Sequence, residues 1–191
     1  MATNSLTTGS TIAQLIKARR TVRRFTDDPV TVEQLTELLD VAVWAPNHNL
    51  REPWRFIAYT GEGRRVFTDA VFDTYTADER QKYGEARRTE FLTTPLHVIV
   101  ILREDPRQKQ WDEDFAAVCC LLQNLQLVAW EEGIGMVWKS NPYMYNPKFR
   151  EAIGVQPGEK IVAVLHIGYP RIIPKAAPRT PAAEMLTVID R

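Results

Sequence analysis

Apolar residues recur along this chain in two rhythms. In "TIAQLIKARR" (11–20), Ile12, Leu15 and Ile16 stand at i, i+3 and i+4, the spacing of one helix face. The basic residues gather at the C-terminal end, where they suit the helix dipole. From Val32 the same spacing returns through Leu35, Leu38, Leu39, Ala42 and Val43. Thr31 with Gln34 three residues later is a capping-box start, and Pro46 ends the helix. Residues 62–92 read as helical and heavily charged. Residues 112–132 read as the longest apolar helix, through Phe115, Val118, Cys119, Leu122, Leu125 and Ala129, stopped by Gly133 and Gly135. A short helix is expected over "PKFREAIG" (147–154), opening on Pro147 and closing at Gly154. Between these lie shorter runs without a helical period: "WRFIAYT" (54–60), "HVIVIL" (97–102), "MVWKS" (136–140) and "KIVAVLHIGYP" (160–170). They read as strands, and the nearly continuous apolar run of 97–102 marks a buried one.

Helices and strands in this mixture predict an α+β fold in one domain, since 191 residues bury one real core. The opening "MATNSLTTGST" is polar, lacks the apolar core of a secretory signal, and makes residues 1–10 a loose tail. Residues 171–191 are proline-punctuated and read as an extended arm that must lie against something, such as a second subunit. No apolar run reaches the roughly 20 residues of a membrane helix.

Charge narrows the field. Lys+Arg and Asp+Glu are each 24, so the net charge is zero, which argues against general nucleic-acid binding. The two cysteines, Cys119 and Cys120, are adjacent in the predicted buried helix. Neighbours of this kind rarely form a structural disulfide and behave there as small hydrophobes, so the expected compartment is reducing, the cytoplasm. His48, His97 and His166 are far apart in sequence, and no H-E-x-x-H or C-x-x-C spacing points to a metal. No phosphate-loop signature, complete G-x-G-x-x-G or G-x-S-x-G elbow occurs. What remains is a binding constellation whose ligand carries the chemistry.

Three stretches could form it. "RRTVRRF" (19–25) packs Arg19, Arg20, Arg23 and Arg24 around Thr21. Guanidinium forks match phosphate oxygens, and the hydroxyl adds a donor. A solvated basic helix end is the alternative. "APNHNLREPWRF" (45–56) is a polar loop between rigid elements, with Asn47, His48 and Asn49 offering donors and acceptors to a planar heterocycle. A helix cap or loop hydrogen bond is the plainer role for His48. In "GIGMVWKSNPYMY" (133–145) a glycine pair leads into a strand ending at Lys139 and Ser140, with Tyr143 and Tyr145 beyond as pocket walls. An edge strand with a solvated lysine is the alternative there.

These stretches, in this order, resemble the nitroreductase family of flavin-dependent oxidoreductases, especially its small single-domain bacterial members. The resemblance covers about residues 11–170. "RRTVRRF" resembles the family's R-R-S-x-R-x-F opening, and "APNHNLREPWRF" its A-P-[SD]-x-x-x-x-Q-P-W-x-F segment. "WEEGIGMVWKS" is similar to its A-x-x-x-G-[LF]-G segment, and "HIGYP" to its [LI]-G-[YT]-P close. No one of these is highly specific; the four in order are.

The resemblance implies a central, mostly antiparallel sheet flanked by helices, in a homodimer centred on the helix at 112–132. It implies FMN at the interface, touched by both chains. Arg19, Arg20 and Thr21 would grip its phosphate and ribityl chain, with Arg23 behind them. Trp44, His48 and Asn49 would reach the partner's flavin, the choice among Asn47, His48 and Asn49 staying open. Val137, Trp138 and Lys139 would run beside the cofactor, and Arg171 or Lys175 would approach the phosphate. Thr21 keeps the family serine's hydroxyl. Glu52, where glutamine is common, cannot donate as an amide does. The implied activity is reduction of a small acceptor, such as a nitroaromatic or quinone, by NADH or NADPH through flavin N5. No side chain is then required as a catalytic residue. A non-catalytic flavin-storage or sensing protein is the competing class, and a flavin-consuming or dehalogenating variant a third.

Overall fold

The structure, a computed structural model, describes residues 11–190, so the tail expected over residues 1–10 lies outside the described residues. Four antiparallel strands form the centre: β1 (Trp54–Tyr59), β2 (Leu96–Arg103), β3 (Gly135–Lys139) and β4 (Glu159–Gly168), in the spatial order β1-β2-β4-β3. The register pairs Trp54 with Leu102, Leu96 with Ile167 and Lys139 with Val164, with one irregularity at Val100/Ile101. Both faces of β2 and β4 are covered, which is why "HVIVIL" does not alternate.

Among the described residues five α-helices flank the sheet and a sixth packs on one of them. On one face α2 (Val32–Ala42) and α5 (Gln108–Glu131) pack Leu35, Leu38, Leu121, Leu122 and Leu125 onto Val98, Val100 and Leu165. On the other, α3 (Gly63–Phe72), the Phe91 end of α4 (Ala77–Thr93) and α6 (Pro147–Ala152) bury Phe67, Phe91 and Phe149 against Ile99, Ile101 and Val164. The short α1 (Ile12–Ala18) lies on α5 through Leu15 and Trp130. The capping box predicted at Thr31 and Gln34 is present, Thr31 Oγ1 accepting from the Gln34 N–H at 3.2 Å.

Several expectations need correction. The helical reach of 62–92 is two helices, parted at 73–76. A second capping box, Thr76 with Glu79, restarts the chain there, in the spacing that "TADE" already displayed. Of the two glycines set to end the long helix only Gly133 does so, at φ 77°; Gly135 opens β3. That helix also begins earlier, at Gln108. Cys119 is half-buried and Cys120 exposed, because α5 turns its Leu121, Leu122 and Leu125 inward and leaves the cysteines at the margin. Both thiols are free. On α1 only Leu15 is buried; Ile12 and Ile16 of its apolar face are exposed. Residues 171–190 form no helix or strand beyond a single turn, Ala182–Glu184, and are exposed throughout. Among the described residues no helix is long and apolar enough to cross a membrane.

Candidate functional site

The arginine cluster does not sit on a helix. α1 closes at Ala18, and residues 19–26 run on in extended form along the outer edge of β3. Thr21 bridges Met136 in parallel sense, the Val22 N–H donating to the Met136 carbonyl at 3.1 Å. Phe25 bridges Pro170, and the Thr26 N–H reaches the Tyr169 carbonyl at 2.9 Å. Two glycines make this contact close. Gly135 and Gly168 are register partners at the end of the β3–β4 pair. A Cβ on Gly135 would stand 2.5 Å from Val22 Cγ2, and one on Gly168 2.9 Å from Phe25 Cβ. Val22 is fully buried among Leu15 and Trp130, so the alternation of extended chain turns its neighbours Thr21 and Arg23 away from that core.

None of Arg19, Arg20, Arg23 or Arg24 meets a carboxylate among the described residues. Arg19 is half-buried, with Nη1 donating to Gln126 Oε1 at 3.2 Å. Burial first, then the charges of Arg20 and Arg179, pull its guanidinium below the ordinary arginine value. The C-terminal arm therefore brings a further cation, Arg179, to the cluster. Sequence reading named Arg171 or Lys175 for that part. Arg171 is occupied elsewhere: Nε donates to the Phe25 carbonyl at 3.1 Å, and Nη2 lies 3.5 Å from Asp27. It clamps the segment rather than facing outward from it.

Val137, Trp138 and Lys139 follow on the same strand edge but do not share a face. Val137 and Lys139 point to the α3/α4/α6 side, while Trp138 packs half-buried toward α2 and α5. The structure sets Thr21, between Arg20 and Arg23, beside the start of β3 at Met136, with Val137, Trp138 and Lys139 following along that strand.

The loop at 44–52 stands apart. No hydrogen bond or ion pair joins it to the arginine segment or to β3 among the described residues; its tie is to α5. Arg51, a residue that sequence reading passed over, forks onto the buried Asp114 carboxylate at 3.0–3.2 Å and onto Asp105 at 3.0 Å. Hydrogen bonding to Asp114 holds its guanidinium above the ordinary value. Asn47 works inside the loop, its Nδ2 donating to the Ala45 carbonyl and its Oδ1 accepting from the Glu52 N–H at 3.0 Å. With that anchor Asn49, Leu50 and Glu52 all hold left-handed backbone, φ 55°, 51° and 45°. Side chains resist that conformation, and it persists only where surroundings enforce it. The result is an outward display: Trp44 is 86% exposed, Leu50 81%, and His48 and Asn49 are exposed as well.

Sequence distance also hid a pair of histidines. His97 of β2 and His166 of β4 are register partners, buried, with their Nδ1 atoms 2.6 Å apart. The Phe91 carbonyl, 2.8 Å from His97 Nε2, can only accept, so Nε2 carries the hydrogen. Neutral His97 then accepts at Nδ1 from His166, which leaves His166 Nε2 an acceptor without a partner among the described residues. Burial pushes His97 down to about 4 and His166 well below its ordinary value.

Known proteins share this architecture. The model of the Nitroreductase family matches residues 16–169. A Bacillus subtilis protein named "Putative NAD(P)H nitroreductase YfhC" is 36% identical over 182 residues, 93% of this chain and 94% of its own. The structure of a nitroreductase-like family protein from Bacillus cereus superposes with a TM-score of 0.93 at 50% identity, covering 97% of this chain and 99% of that one. An FMN- and NADPH-dependent nitroreductase, NfnB from sphigopyxis sp. strain HMH, shares the fold at a TM-score of 0.76 and 19% identity, covering 95% of this chain and all of its own. With an arginine segment seated on a glycine pair at the sheet edge, and a family match running from Ile16 to Tyr169, the chain belongs to the nitroreductase family.

Proposed function

We propose that this protein is an FMN-dependent oxidoreductase that uses NADH or NADPH to reduce a small organic acceptor, a nitroaromatic or a quinone. The observation that carries the reading is the cluster of Arg19, Arg20 and Arg179, none paired with a carboxylate among the described residues, next to Thr21. Cations crowded without carboxylates fit a dianionic phosphate, whose binding relieves their repulsion. The FMN and NADPH dependence stated for the NfnB neighbour supports the same assignment.

In this proposal Arg19, Arg20 and Thr21 hold the phosphate and ribityl chain, with Arg23 as a further contact. The β3 edge at Val137, Trp138 and Lys139 supports the ring. Trp44, His48 and Asn49 serve the site of a second copy, which gives a role to a loop that is stiffly held yet exposed. When bound, FMN supplies the redox chemistry, accepting a hydride at N5 from the nicotinamide and delivering electrons to the acceptor. The residues of the chain bind, orient and screen; none needs to act as nucleophile. The dimer is supported by apolar side chains left uncovered on a single chain: Ile12, Ile16, Trp44 and Leu50, with Leu186 and Ile189 of the arm. Residence in the cytoplasm, inferred from two free cysteines, completes the proposal.

The test is the visible spectrum of the purified protein and of its supernatant after heat denaturation. Released FMN with nicotinamide oxidation is the expected result. A yellow protein without turnover would instead favour storage or sensing. A protein that stays colourless after incubation with FMN would refute the reading.

A further inference from the structure

A cavity of about 320 Å³ opens between α4, the end of β3 and the turn at Pro142–Tyr145. That volume suits one small organic ligand. Its walls are aromatic: Tyr75, Tyr83, Phe91 and Tyr143. Its cations are Arg87 from α4 and Lys139 from β3. Lys139 meets no carboxylate among the described residues, and Arg87 gives one nitrogen, Nη1, to Glu90 at 3.1 Å and keeps further donors free. The single carboxylate in the lining, Glu79, is taken up by the cap of α4, where it accepts from the Thr76 N–H and hydroxyl at 2.9 and 3.0 Å. Asn141 and Asn146 add amides at the rim.

A second carboxylate, Glu90, acts on Tyr75 and Tyr143 from α4, and it is engaged by Arg87 Nη1. Phe91 closes the cavity, and His166 lies behind that ring at 5.6 Å between centroids. Burial and His97, then Lys139 and Arg87, hold His166 neutral. An aromatic chamber with two cations, one of them Lys139 without a carboxylate partner among the described residues, and with Glu79 and Glu90 both engaged, is complementary to a flat ring bearing a negative group.

We propose that this cavity is the acceptor pocket and that it selects small aromatic acceptors carrying an anionic substituent, such as a ring carboxylate. The proposal rests on the FMN-dependent reading above, because Lys139 belongs both to the proposed flavin edge and to the cavity lining. The ring lies against the tyrosines while its carboxylate takes Arg87 and Lys139. Arg87, which has no part in the flavin set, is then a specificity determinant.

The experiment compares 3-nitrobenzoate with 3-nitrobenzamide, equal in shape and different in charge, on the flavin-loaded protein. The expected KM for the carboxylate is about tenfold lower, the worth of one charge-assisted hydrogen bond. Arg87→Gln should erase that ratio while leaving the amide's KM and the flavin absorbance unchanged. Arg87 is exposed on α4, and a thermal melt of the variant confirms that it folds. Equal KM values, or a ratio that survives Arg87→Gln, would overturn the proposal. Should the protein hold no flavin, calorimetry with 3-nitrobenzoate separates the two readings. Binding that Arg87→Gln weakens keeps the anion pocket and removes only the redox assignment; absence of binding removes both.

Discussion

Acid should destabilise this fold well before its carboxylates titrate, and the cause is the histidine pair inside the sheet. His97 is fully buried, with a folded value of about 4 against an ordinary 6.5. Unfolded chain takes up a proton near the ordinary value, whereas the folded chain does not until about 4. Between those limits the unfolded state binds more protons, so stability is complete above about pH 6.5 and is lost as pH falls toward 4. The difference amounts to about 3 kcal/mol from His97 alone, of which about 2 kcal/mol is gone at pH 5. His166 is shifted in the same direction and adds to the loss. Three kilocalories is a large part of the stability of an ordinary domain. The assay is urea unfolding at pH 7.5, 6 and 5, at fixed protein concentration and flavin loading, since dimerisation and ligand both shift apparent stability. A variant carrying His97→Phe and His166→Leu removes both titrating groups from the core and should flatten the slope whatever its absolute stability. A wild-type stability that is constant from pH 7.5 to 5, or a slope that the double variant retains, would refute the reasoning.

Four further outcomes follow from the geometry. Gly135→Ala should cost about 1–3 kcal/mol by overpacking against Val22 and should lower flavin retention, because the arginine segment must move to admit the methyl; unchanged FMN occupancy at low free flavin would separate the glycine seat from the binding site. Gly84→Ala should do the opposite, raising the melting temperature by the equivalent of about 0.5–1 kcal/mol, since Gly84 is inside α4 and its added Cβ meets only Phe72 Cε1 at 3.8 Å. Arg19→Ala should weaken FMN retention without unfolding the domain, read by spectrum and melt together. Light scattering should give about twice the 21.9 kDa chain mass; a monomer would leave Trp44, His48 and Asn49 without a second flavin to serve.

What could be read from the sequence was what local pattern controls. The capping box at Thr31, the apolar run of β2 and the glycine stop at Gly133 each act within a few residues, and each is where the spacing put it. The split at 73–76 was also legible, in Thr76 and Glu79, but the heavy charge around it masked the signal. Other features depend on register between distant strands. His97 and His166 are partners only because β2 lies beside β4, and Gly135 opposes Gly168 only because β3 does. The arginines looked like a helix end because periodicity does not report a bridge to Met136. At the site, residue types were legible and their partners were not. Residue type alone does not say that the Asn47 amide closes its own loop, or that Arg51 lies over Asp114, because both depend on partners set by the fold.

The seat of the arginine segment also orders events in folding. Val22 and Phe25 dock on the paired ends of β3 and β4, more than a hundred residues further along the chain. Until those two strands have joined there is no surface for residues 19–26 to lie on, and closing so long a loop is repaid only at that point. The cation cluster therefore assembles after the sheet, and it can come undone while the sheet stays shut. Amide exchange should report this directly: the Val22 and Thr26 protons, bonded to Met136 and Tyr169, should exchange faster than those of Val98 and Val164 and slow when FMN is added. Held there as proposed, the cofactor would act as the latch on the last segment of chain to find its place.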